Sequence, residues 1–271
     1  MRVKARSKKS KRKPATHRKP ESSRPALWRR RWVRLVALAV IVAFLTPPVQ
    51  VLLARYVDPP FTLTMVGDAW TRSRAAGGPV WVRHSSPPIE RLGDVPRMAL
   101  TAEDDAFFYH SGIDMGGVCV AMERNEQAGG VVAGGSTITQ QTAKNVFLWQ
   151  KRSWIRKGLE TVYTLWMELL LPKERILELY LGVAEFGPGI YGAEAGARHW
   201  FGRSADDLSR SEAARLVSVL PSPKTRTPDG PTASAKAARL IRRAAVLPGE
   251  PGFDDIGSRW RERSRRLCER D

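Results

Sequence analysis

The apolar positions of this chain fall into one unbroken block followed by several periodic runs. Residues 35–54 carry no charge, and twenty residues in a helix span about 30 Å, the hydrocarbon thickness of a bilayer. The block predicts a single membrane-crossing helix at 32–54. Pro47 and Pro48 weaken its outer half, although a kink is tolerated in a membrane helix. A cleaved signal peptide is the competing reading, because residues 35–45 have the length of a signal core. Leu52 spoils the small-x-small pattern ahead of Ala54, so an uncleaved anchor is preferred.

Beyond the block, Pro59-Pro60, Gly77-Gly78-Pro79 and Pro87-Pro88 interrupt every apolar run. Residues 55–94 therefore read as an extended connector with one short strand near 80–82. From residue 95 the period becomes helical. Asp94 and Pro96 start a helix that passes Met98 and Leu100 towards Phe107. Leu159, Val162, Tyr163, Trp166, Leu169 and Leu170 recur at helical spacing until Pro172, which opens a helix with Ile176, Leu177, Tyr180 and Leu181 on one face. Ser209-x-x-Glu212 is a capping box before Ala213, Leu216, Val217 and Leu220, with Pro221 at the end. The pattern is that of a mainly α domain at 95–222 with no internal repeat. A basic extension follows at 223–271.

Charge sharpens this division. The net charge of +18 is concentrated at the N-terminus: residues 1–34 hold 15 Lys and Arg against the single acid Glu21. Residues 1–31 read as a disordered tail. Arg29, Arg30, Arg31 and Arg34 predict that this tail stays in the cytoplasm and the body is exported. The apolar fraction of 42% excludes wholesale disorder. Two cysteines without a CxxC exclude a disulfide scaffold or zinc finger. Cys119, among Val118, Val120 and Met122, reads as a buried free thiol rather than a partner of Cys268.

Three stretches carry chemistry. Glu103, Asp104 and Asp105 stand beside Phe107, Phe108 and Tyr109. Such a setting holds a carboxylate partly out of water, as a general base requires; a helix cap or solvated face is the alternative. His110 reads as fixing this loop rather than reacting. Next, 134–145 runs Gly-Gly-Ser-Thr-Ile-Thr-Gln-Gln-Thr-Ala-Lys-Asn, offering N–H groups, hydroxyls and an ammonium to an anion. It is no nucleotide P-loop, since the lysine lies far from the glycines; a plain loop-and-cap is the alternative. Third, Lys151, Arg152, Arg156 and Lys157 surround Trp154 and Ile155 at a helix start. Cations there oppose the helix dipole, which suggests a paired anion such as phosphate. A solvated basic face or a contact with anionic lipid is the alternative.

Together the stretches resemble the glycosyltransferase family that polymerises peptidoglycan from lipid II, and more narrowly its monofunctional biosynthetic transglycosylases. The family's ED-x-x-F-x-x-H-x-G-x-D falls on Glu103, Asp104, Phe107, His110, Gly112 and Asp114. Its G-x-STITQQ-x-x-KN falls on 134–145, and its RK-x-x-E on Arg156, Lys157 and Glu160. The later stretches at 176–181 and 184–195 also match. One departure is Gly182, where the family usually has Asn; local loop change is expected there. The resemblance implies a lysozyme-like helical fold on a single transmembrane helix, in the inner membrane with the catalytic domain periplasmic. It implies inverting transfer: the 4-hydroxyl of lipid II attacks the anomeric carbon of the lipid-linked strand, and undecaprenyl pyrophosphate leaves.

By the same resemblance Glu103 is the base and Glu160 assists at the leaving phosphate. Ser136, Gln140, Gln141, Lys144, Arg152, Arg156 and Lys157 hold substrate and pyrophosphate. No cofactor is obligatory, no metal-ligand set is assigned, and a divalent cation (Mg or Mn) at the pyrophosphate is the one candidate ion. The partners implied are lipid II, the growing strand, the membrane, and cell-wall synthesis or division proteins. The roughly 50 residues after Pro221 hold no Ser-x-x-Lys or Lys-Thr-Gly, so no transpeptidase domain is expected. A membrane-anchored lysozyme-like hydrolase is the first rival, but it needs no pyrophosphate cradle. A nucleic-acid binder using the tail is the second; its arginines lack interleaved aromatics, and no nucleic acid is expected.

Overall fold

The computed structural model describes residues 25–130, 134–151 and 153–246. Ten α-helices and three short strands are found among them, so the architecture is mainly helical, as the periodicity predicts. The chain divides into two units between Phe44 and Leu45. In the first, helix α1 (Pro25–Tyr56) begins, and Val33, Leu38, Ile41 and Phe44 are all exposed apolar positions. The stretch Arg31–Tyr56 is long and apolar enough to cross a membrane.

The second unit starts with the last turns of α1, where Val51 and Ala54 are buried in the main hydrophobic core. Polar bonds tie these turns down. Gln50 accepts from the Tyr163 hydroxyl at 2.5 Å. Arg175 donates to the Ala54 carbonyl through Nε and a terminal nitrogen, at 2.9 and 2.8 Å, and pairs with Asp58 at 2.8 Å. Helix α1 ends free to accept because its final carbonyls lack intrahelical donors; the guanidinium supplies them.

The connector differs from its sequence reading. Residues Leu63–Ala76 form helix α2, capped by Thr62 and closed by Gly77 in the left-handed region. Its amphipathicity is inverted: Thr64, Met65 and Asp68 are buried, while Leu63, Val66 and Trp70 are exposed. A polar inward face gives no apolar stripe, which is why the pattern shows a connector. The strand lies at Arg83–His84 (β1) rather than 80–82. It pairs in parallel with β3 (Ile190–Tyr191), which pairs antiparallel with β2 (Glu185–Gly187). Gly192 makes the close approach possible. Its φ is +94°, and a Cβ there would lie 2.0 Å from the Ser85 carbonyl. At Gly182 a Cβ would meet Ser86 Oγ at 2.2 Å; Ser86 occupies the space that an asparagine side chain would need.

Helix α3 (Val95–Glu103) stops at Glu103, earlier than the run towards Phe107 suggests, and Phe107–Tyr109 is a separate 3-10 turn. Helix α4 (Met115–Gln127) follows. There Cys119 is only half-buried and is disulfide-bonded rather than free; Cys268 lies outside the described residues. A thiol that is partly open to solvent is available for pairing, which a core thiol is not. Helices α5 (Ile138–Phe147), α6 (Trp154–Leu170) and α7 (Lys173–Val183) pack together, α5 against both neighbours.

The predicted stripe of α6 meets the core through Leu159, Tyr163, Trp166 and Leu170, and the buried face extends beyond it to polar residues. Val162 and Leu169 are exposed, while Arg156, Glu160, Tyr163, Thr164 and Met167 face inward. Helix α8 (Ala193–Phe201) covers the strands, and α9 (Arg210–Val217) carries the predicted capping box, Ser209 with Glu212. Helix α10 (Pro231–Val246) packs on α9 and α3.

Replacing Arg175 by Met should lower stability by about 2 kcal/mol, since bonds to charged groups are worth 1.5–3 kcal/mol each and their loss is partly compensated. A thermal melt in detergent should drop by several degrees. An unchanged midpoint would show that the clip on α1 carries no stability.

Candidate active site

The site is built around the end of α3. Asp104 is buried and leaves the helix in an extended conformation, with φ −163°. Its carboxylate accepts from the backbone N–H of Ile138 at 2.9 Å, and from His110 Nε2 at 3.0 Å. The Ile138 N–H opens helix α5, where the positive end of the helix dipole favours a carboxylate. His110 Nδ1 accepts from Gly112 N at 3.1 Å. This assigns the proton to Nε2, facing Asp104. Gly112, at φ +87°, accepts from Thr137 Oγ1 at 2.7 Å. Thr137 is also the N-cap of α5, in a reciprocal box with Gln140. The acidic and Gly-Ser-Thr stretches, 30 residues apart in sequence, thereby form one structure.

Glu103 emerges beside this joint, half-buried, and accepts from Gln141 Nε2 at 3.2 Å. Below it Tyr180 is fully buried, and burial together with the charges of Glu103 and Asp104 pushes its pKa well up. It stays a neutral phenol. Two cavities meet at Ser136. One is lined by Glu103, Asp114, Arg124, Gly135 and Arg243. The other is lined by Gln140, Gln141, Lys144, Trp154, Lys157 and Glu160. Gln141 and Lys144 also face a third cleft that runs past Tyr180 and Glu185. The result is a continuous groove with a carboxylate on one side and cations on the other.

The cations are organised by Glu160. One of its oxygens accepts from Arg156 at 2.8 Å and the other from Lys157 at 2.5 Å. Ser153 caps α6 through Arg156 N, and Arg156 Nε donates to the Lys151 carbonyl at 3.1 Å. Arg156 and Glu160 are buried while Lys157 reaches solvent. Trp154 and Ile155 are 92% and 75% exposed beside them. Arg152 lies outside the described residues. Gln140 is committed to the cap of α5, its Oε1 accepting from Thr137 N. Among the described residues no three His, Cys, Asp or Glu gather to hold a metal. Both Glu160 oxygens are occupied by cationic donors, so this donor set does not fit a protein-held divalent ion.

Sequence reasoning gave no role to α10, yet it reaches the site. Arg243 pairs with Asp105 at 2.5 Å. Burial pulls the Lys236 pKa down, opposed by the negative charge of Glu103. No local motif announces a contact made across about 140 residues.

Asp114 lines the Glu103 cavity, and burial raises its carboxyl above the ordinary 3.8, partly opposed by the Gly117 N–H and by His110. The folded chain therefore holds this proton more tightly than the unfolded one, and stability falls as pH rises from 3.8 through the raised value. Asp114→Asn removes that loss. It should be more stable than the parent at neutral pH, with the difference vanishing below the ordinary value. Melts across pH 3–8 would show a constant difference if the idea is wrong.

The transglycosylase family matches residues 82–248. A biosynthetic peptidoglycan transglycosylase of Xanthomonas campestris pv. campestris (strain B100) is 42% identical over 238 residues, covering 86% of this chain and 95% of that protein. Proteins of the same name from Xylella fastidiosa (strain M23) and Xanthomonas euvesicatoria pv. vesicatoria (strain 85-10) are 40% and 43% identical, covering 93% and 91% of their lengths. With the family matching residues 82–248 and relatives of that name 40–43% identical over more than nine-tenths of their lengths, this chain belongs to the transglycosylases.

Proposed function

We propose that the groove joins lipid II units into a β-1,4-linked glycan strand, with Glu103 as the general base. The enzyme is a peptidoglycan glycosyltransferase; the observation that carries the residue roles is the two-sided groove meeting at Ser136. The acceptor sugar lies in the Glu103 cavity. Its 4-hydroxyl gives its proton to Glu103 as the oxygen attacks the anomeric carbon of the strand. The bond from that carbon to the pyrophosphate oxygen breaks, its electron pair leaving with undecaprenyl pyrophosphate.

Negative charge grows on the departing oxygens, where Lys144, Lys157 and the Ser136 end of the groove supply positive charge and donors. Arg152 joins them by sequence resemblance. Glu160 works through its neighbours: with both oxygens bonded, it holds Lys157 and Arg156 in place, and no proton or metal step is routed through it. Gln141 orients Glu103. Exposed Trp154 and Ile155 border the pyrophosphate side, suited to the first isoprene units of a lipid. A hydrolase reading finds no use for this cradle.

Glu103→Gln should abolish polymerisation with the fold intact, because positioned bases contribute about 10²–10⁴-fold. Lys144→Ala and Lys157→Ala should each lower the rate at saturating lipid II by about 10²–10³-fold, like the loss of one oxyanion donor. Labelled lipid II and lysozyme digestion of the polymer provide the readout. More than about a tenth of the parent rate in Glu103→Gln would refute the base assignment. Unchanged turnover in both lysine variants would retire the cradle.

The arginine row 29–34 further supports an inward tail and a periplasmic body at the inner membrane. Protease added outside spheroplasts should digest the body and spare an N-terminal tag. A protected body would reverse the orientation.

A further inference from the structure

A buried ion pair outside all three sequence stretches meets both halves of the site. Glu168, near the end of α6, has a side chain only 10% exposed, and Lys173, the first residue of α7, 19%. Their separation is 2.9 Å. The same Glu168 oxygen accepts from Thr139 Oγ1 at 2.5 Å. Thr139 is wholly buried in the first turn of α5, adjoining Gln140 and Gln141. On the other side, Lys173 Nζ donates to the His110 carbonyl at 2.6 Å and lies 4.5 Å from the Phe107 ring centroid. The loop is pressed close here: a Cβ on Gly112 would meet Thr164 Cγ2 at 2.6 Å and Glu168 Cγ at 2.9 Å.

We propose that Glu168 and Lys173 are positioning residues for glycosyl transfer, fixing the distance between the Glu103 loop and the Gln141 end of α5. The Asp104–Ile138, Gly112–Thr137 and Glu103–Gln141 bonds join the two stretches directly. The Thr139–Glu168–Lys173–His110 chain adds a brace that runs through α6 and α7, so the loop and α5 are also held to the neighbouring helices. Glu103 and Gln141 then meet at a fixed separation. The ammonium has its donors committed to a carbonyl, a carboxylate and a ring face, so it cannot drift without losing all three. The arrangement touches no substrate. Its effect is on the alignment of the base, where displacements near 1 Å cost up to about 10²-fold in rate.

The proposal rests on the reading of Glu103 as base, so its test measures alignment rather than presence of activity. Steady-state kinetics on lipid II use the full chain in detergent. Thr139→Val removes one hydrogen bond at nearly constant shape. The double variant Glu168→Gln/Lys173→Met removes the pair without leaving a lone buried charge. The expected kcat per folded molecule falls about 3-fold in the first and about 10-fold or more in the second, with KM within twofold, while the Thr139→Val melt drops by a few degrees on losing one bond to a charged group. Lys173→Arg, which keeps charge and donors, should stay within about threefold of the parent.

A kcat per folded molecule within twofold of the parent in Thr139→Val and in the double variant overturns the proposal. So does a loss confined to KM. Should the double variant fail to fold, Thr139→Val decides. A parent protein without turnover fails the functional reading itself, a result visible before any variant is made.

Discussion

One buried carboxylate holds the site together. Asp104 takes the first N–H of α5 and the imidazole of His110 at once. Removing a carboxylate from water costs several kcal/mol unless charge-assisted bonds replace its hydration. The helix terminus and the histidine supply them. Because Asp104 must turn back into the protein, α3 ends at Glu103, and the neighbouring carboxylate is left facing the groove. The reactive residue gains its place from the unreactive one beside it.

The opposite wall follows a related economy. Placing Arg156 and Lys157 in the first turn of α6 works against the helix dipole, and the chain meets that cost internally through Glu160. The pair Arg156–Glu160 is buried, whereas Lys157 keeps its outer side open. A cation anchored at one face and open at the other needs little reorganisation when phosphate charge appears. The end of α3 and the start of α6 thus present opposite charges on cavities that share Ser136.

Much of this was legible in the sequence because its chemistry is local. The three stretches are contiguous, and Pro172, Ser209 and Glu212 mark helix ends by rules that act within four residues. What escaped reading depends on distant partners. Helix α2 turns Thr64 and Asp68 inward because Lys224 waits for Asp68 at 2.5 Å, and no stripe of apolar residues can announce that. On α6 the apolar stripe is legible, but the burial of Arg156, Glu160 and Thr164 beside it is not, because periodicity counts such residues as surface. The ion pair of α10 with Asp105, and the pull of Glu103 on Lys236, join positions far apart in the chain. Cys119 was read as core from its apolar neighbours in sequence, though its surroundings in space leave it half open.

The end of α1 alters what the anchor means for biogenesis. Val51 and Ala54 belong to the same core as Phe107 and Tyr180, and Arg175 spends its guanidinium on the Ala54 carbonyl and Asp58. Cutting after Ala54 would withdraw two core side chains and the Ala54 carbonyl, leaving Arg175 with Asp58 and Glu178 as its partners. The end of the apolar helix is thus part of the folded body, and cleavage at that point would remove a piece of the core rather than a detachable leader.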